Sequence, residues 1–149
     1  MRMLLAALLM AALPALGHSY EKGDLQIRHP WARATPPGTT VGVGYFEIRN
    51  NGAQPDRLLS ATSPAAKRVE MHLTEHAGEI AKMRQLRAFE VPARERLTLE
   101  PNGAHLMLVD VVQPLKKGER FPMKLRFEHA GEIDIEFEVQ EMGSRHSRH

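Results

Sequence analysis

Ile133, Ile135, Phe137 and Val139 alternate with Glu132, Asp134, Glu136 and Glu138. A period of two with one apolar and one acidic face describes a half-buried β-strand, because successive side chains point to opposite faces. Phe121, Met123, Leu125 and Phe127 repeat the pattern against Pro122, Lys124 and Arg126, with Glu128 to Gly131 as the turn between the two. Seven more stretches read as strands: Leu25 to Arg28, Val41 to Arg49, Arg57 to Thr62, Arg68 to Thr74, Ile80 to Leu86, Arg96 to Leu99 and His105 to Val112. Pro36-Pro37-Gly38, Asn50-Asn51-Gly52, Pro64, Pro101-Asn102-Gly103 and Lys117-Gly118 punctuate them as turns. After the N-terminal segment nothing carries a 3.6-residue period. Short strands at this spacing predict an all-β chain folded as a two-sheet, immunoglobulin-like β-sandwich of one domain.

The N-terminus reads as a targeting segment. Arg2 precedes the eleven apolar residues Met3 to Leu13, too few to span a bilayer, and Ala15-Leu16-Gly17 is a small-x-small cleavage site. The expected domains are therefore a signal peptide over 1–17, a β-sandwich over 18–142 and a polar, disordered tail over 143–149. No membrane insertion is expected after cleavage. Removing residues 1–17 leaves 132 of the 149 residues, with 19 basic and 18 acidic side chains. That near balance, with basic residues dispersed, gives no case for nucleic acid. A chain of this size buries roughly two thirds of its unfolded surface and folds without disulfides. It contains no cysteine, which suits an exported chain in oxidising surroundings.

Four residues carry chemistry: His72, Met83, His105 and Met107. Ten residues separate the first two, twenty-one the next, and one the last. Thioether sulfur is a soft donor that favours Cu(I), and imidazole is compatible with it. On the apolar parity of its strand Met71 faces the core, so His72 faces away. His105 and Met107, two apart, share a face and leave Leu106 and Leu108 to the core. A hairpin with His76-Ala77-Gly78-Glu79 as its turn sets His72 directly opposite Met83, about 5 Å apart at Cβ. His105 and Met107 then form a second jaw, brought up by the connection from Arg84 to Ala104, and a shallow site at the sandwich rim follows. The set lacks the thiolate of a blue-copper centre and the cysteines or open nitrogen and oxygen sets of zinc sites. There is also no recognisable Ser-His-Asp order and no carboxylate ligand pair, so an enzyme is not expected. Capture and handover of the ion remain. Trp31 is expected to fill a core or rim pocket, and Met123 to lie in the core.

At these positions the chain resembles the PCuAC family of periplasmic copper chaperones, whose signature is His, ten residues, Met, twenty-one residues, His-x-Met. Val69-Glu70-Met71-His72, Lys82-Met83-Arg84 and Gly103-Ala104-His105-Leu106-Met107-Leu108 are similar to the family, as is His29-Pro30-Trp31-Ala32-Arg33-Ala34-Thr35-Pro36. The resemblance runs from about Gly23 to Val139. It implies a cupredoxin-like sandwich that binds Cu(I) and delivers it, with a Sco-like thioredoxin-fold protein, toward the CuA centre in subunit II of cytochrome c oxidase. A copper buffer serving tolerance or acquisition uses the same site without an oxidase partner. Some members carry His- and Met-rich tails for Cu(II); Met142, His146 and His149 are a sparse version, and His18 and His76 are further candidates for a weak second site. The expected state is a monomer.

Overall fold

The structure, a computed structural model, describes residues 19–141. The expected signal peptide, the tail, and the second-site candidates His18, Met142, His146 and His149 lie outside the described residues. Eleven strands follow one another: β1 Ser19–Lys22, β2 Leu25–Arg33, β3 Val41–Asn50, β4 Asp56–Thr62, β5 Ala66–Ala77, β6 Ile80–Leu86, β7 Phe89–Val91, β8 Arg96–Thr98, β9 Ala104–Val111, β10 Arg120–Phe127 and β11 Gly131–Gln140. None of the described residues is helical. All nine expected strands are present. The two additions, β1 and β7, are three or four residues long and carry too few alternations to stand out.

The strands follow the order β6-β5-β9-β3-β2-β11-β10-β4-β7, with β1 added to β2 and β8 to β3. A short parallel pairing of residues 138–140 of β11 with residues 31–33 of β2 joins two layers. Inward residues of β5, β9, β3 and β2 (Met71, Leu106, Leu108, Phe46, Ile48 and Ile27) face those of β10, β11 and β4 in one buried core. Phe137 marks the contact: its ring stacks on Phe121 at 5.4 Å and meets Phe46 edge-on at 6.0 Å. The opposite layer admits that ring because Gly44 has no side chain. A Cβ there would stand 2.8 Å from Phe137 Cε1. Gly44→Ala is therefore expected to cost about 1–3 kcal/mol through overpacking, read as a lower urea midpoint. An unchanged midpoint would mean that the ring can yield.

A bulge in β2 controls what the site layer shows to the outside. Arg28 pairs with Glu47, but Trp31 pairs with Tyr45, so β2 holds one extra residue, and His29 there has φ +52°. An extra residue reverses the facing of everything after it. Leu25 and Ile27 thus face the core, whereas Trp31 and Arg33 turn to the outer face beside Tyr45 and Val43. Trp31 is buried there, its ring 4.7 Å from that of Tyr45.

Candidate metal centre

The centre is built on β6, β5 and β9 at the end of the first layer. β5 is hydrogen-bonded to both neighbours, antiparallel each time. Residues opposite one another in a ladder share a face, so the registers place the candidate side chains directly. His72 lies opposite His105, Glu70 opposite Met107 and Thr74 opposite Met83. All stand on the outer face, while Met71 and Leu106 pair on the core face. The expected facing of His72, His105 and Met107 holds.

The expected register of the β5–β6 hairpin does not. Ala77 pairs with Ile80 around the two-residue loop Gly78-Glu79, and His72 faces Gln85 rather than Met83. Gly78 has φ +61°. A positive φ at the first central residue is what a type II′ hairpin turn requires, and glycine supplies it without strain. That placement moves the turn centre by one residue and every partner by two. A shift of two preserves the face. Met83 therefore stays on the side of His72, as a diagonal neighbour at about 7–8 Å instead of a direct one. The two expected jaws are likewise one continuous three-strand surface: the β5–β9 ladder, not the connection from Arg84 to Ala104, brings the histidines together.

The imidazoles of His72 and His105 stack, with centroids 5.7 Å apart and planes 28° from parallel. Each ring has one satisfied and one unsatisfied nitrogen. His105 Nδ1 lies 3.0 Å from the Gly103 carbonyl oxygen. A carbonyl only accepts, so Nδ1 carries the hydrogen and Nε2 carries the lone pair. His72 Nε2 lies 3.4 Å from Glu70 Oε1. A carboxylate also only accepts, which puts the hydrogen on Nε2 and the lone pair on Nδ1. His72 Nδ1 and His105 Nε2 are both buried and have no hydrogen-bond partner among the described residues. Two buried lone pairs without a donor are costly unless something electrophilic takes them. Burial of His105 lowers its pKa; the hydrogen bond to Gly103 opposes the shift and the charge of His72 adds to it. The ring is thereby held in the neutral form that a metal needs.

The thioethers stand to either side. Met107 is half-buried two residues along from His105, and Met83 is 54% exposed on the edge strand. Among the described residues no three His, Cys, Asp or Glu side chains gather as a metal-binding group. On the face of the two imidazoles the soft donors are the sulfurs of Met83 and Met107. His76, on the same face, engages the Asn102 carbonyl oxygen through Nε2 at 3.0 Å and is exposed. Glu70 is the group the sequence reading passed over. It sits on the parity of His72, two residues before it, and that spacing was the available signal. Its Oε2 accepts from Arg68 Nε at 3.3 Å. Burial by itself would raise the Glu70 pKa, but the hydrogen bonds from Arg68 and His72 outweigh it and hold the carboxyl below its usual range.

An all-β sandwich with this connectivity is a cupredoxin-like domain. The family model described as "Putative lipoprotein LpqE-like" matches residues 25–139. The copper-bound PCuAC domain from PmoF2 superposes with a TM-score of 0.74 at 33% identity, covering 84% of this chain and 99% of that one. The chain belongs to this family of LpqE-like, PCuAC domains. The Cu(I) form of DR1885 from Deinococcus radiodurans aligns with a TM-score of 0.64 at 27% identity over 82% of this chain and 80% of its own. A protein of Leifsonia xyli subsp. xyli, "Putative lipoprotein Lxx21020", is 31% identical over 104 residues, and the chain spans 61% of its length.

Proposed function

We propose that this chain is a periplasmic copper chaperone that holds Cu(I) through His72, His105, Met83 and Met107 and passes it on. The observation that carries the reading is the pair of buried imidazole nitrogens, without a hydrogen-bond partner among the described residues, on stacked rings flanked on the same face by two thioethers. Two neutral imidazoles and two thioethers add no charge of their own and suit a soft monovalent ion. The copper named in the titles of the PmoF2 and DR1885 structures supports the same cargo. The placement of Met83 suggests how the ion leaves. An exposed ligand on an edge strand is the first that an incoming donor can displace, and the two histidines, His105 buried and His72 partly so, are the last to let go. Capture and transfer, rather than turnover of a substrate, is the role such a surface fits. The receiving protein in this proposal is a Sco-like thioredoxin-fold protein or the CuA site of cytochrome c oxidase subunit II.

Met83→Leu and Met107→Leu keep shape and apolarity while removing sulfur. Each is expected to weaken Cu(I) binding by at least about tenfold, or about 1.4 kcal/mol, in competition with a chromophoric Cu(I) chelator under reducing conditions. X-ray absorption of the loaded wild-type protein should count both nitrogen and sulfur ligands, with sulfur falling in each variant. Unchanged affinity in both variants would remove the thioethers from the site. Deficient CuA loading in a deletion strain at limiting copper would favour delivery to the oxidase; normal loading would favour a buffer.

A further inference from the structure

We infer that Glu70, steadied by Arg68, is a positioning residue that decides which ring nitrogen His72 offers to the ion. The inference rests on the copper-site reading above and deepens it. Strand β5 sets Glu70 and His72 on one face, two residues apart, with Met107 opposite Glu70 across the ladder. Glu70 Oε1 reaches His72 Nε2 at 3.4 Å, and its Oε2 is held by Arg68 Nε at 3.3 Å. The carboxylate thus meets the ring at Nε2 and leaves the lone pair on the buried Nδ1, which has no hydrogen-bond partner among the described residues, on a ring stacked beside that of His105.

The two histidines reach their states by different means. His105 is fixed by a backbone carbonyl, which no side-chain substitution removes. His72 depends on a side chain. An imidazole freed from Glu70 has no acceptor that prefers one tautomer, so a share of the molecules would carry hydrogen on Nδ1, where the ion must bind. An anionic acceptor also raises the basicity of the imidazole it orients, and loss of such partners typically costs 10–100-fold in metal affinity. The site consequently joins Nδ1 of His72 to Nε2 of His105, an unlike pair of nitrogens set by unlike acceptors.

The test reads the tautomer before copper enters. Long-range proton–nitrogen NMR of the apo protein should find His72 protonated at Nε2 alone, and Cu(I) addition should shift Nδ1. Glu70→Ala should mix the tautomers and weaken Cu(I) binding by about 10–100-fold. Glu70→Gln keeps an acceptor oxygen without the charge. It should retain the Nε2–H form with an intermediate affinity, provided that its amide spectrum overlays that of the wild type. A wild-type His72 protonated at Nδ1, or a Glu70→Ala protein with unaltered tautomer and affinity, would overturn the inference. Failure of the copper-site reading looks different: His105→Ala would then bind Cu(I) as the wild type does, while the apo tautomer of His72 would still report on Glu70.

Discussion

His105→Ala is expected to weaken Cu(I) binding by more than about 100-fold, since loss even of the groups that merely orient a ligand costs 10–100-fold. His105 should matter more than Met83 for a structural reason. The residue is 4% exposed, its Nδ1 is tied to Gly103, and its Nε2 has no partner among the described residues. The tether at Nδ1 already fixes the ring and leaves the lone pair on Nε2, so little ordering remains to be done when the ion arrives. Met83 sits on an exposed edge, where solvent or a second sulfur can replace it. Competition against a Cu(I) chelator under reducing conditions measures the loss, and circular dichroism checks that the β-fold persists. An affinity within about threefold of wild type, less than 1 kcal/mol, would mean that copper binds elsewhere.

Phe137→Ala should be the most damaging change away from the site, at about 3–5 kcal/mol. Phe137 is fully buried, touches Phe121 and Phe46, and fills the space above Gly44. Its neighbours belong to both layers, and the strands around it cannot close over the void without breaking their ladders. Against a total stability of about 5–15 kcal/mol for a domain, such a loss is a large share. Urea unfolding followed by fluorescence of Trp31 would measure it. A loss below about 1 kcal/mol would mean that the two layers repack freely around the gap.

These two residues were not equally legible. Phe137 announces itself through strict alternation from Glu132 to Val139, and burial of that face needs no knowledge of its partners. His105 was legible as an outward residue for the same reason, being out of step with Leu106 and Leu108. Its stacking on His72 was not, because strands 33 residues apart in sequence became neighbours. The β5–β6 register was missed by one turn position. The sequence contains Gly78 but does not say whether it occupies the first or second place in the loop, and the backbone twist of the hairpin selects the first. The bulge at His29 escaped for a related reason: an extra residue leaves both flanking segments with valid alternation and changes only their relative phase. Glu70 was visible as a residue, but its role depends on Arg68 and His72 being held beside it.

The order of the residues alone reveals the β character of this chain, the inward and outward sides of its strands, and four candidate donor residues at their spacings. Those features depend on side-chain chemistry and a period of two, both local properties. Tertiary structure alone decided that β5 lies between β6 and β9, that the two imidazoles stack, and that a glutamate stands behind one of them. Those outcomes depend on which strands share a ladder, and that is settled by burying all the apolar faces at once.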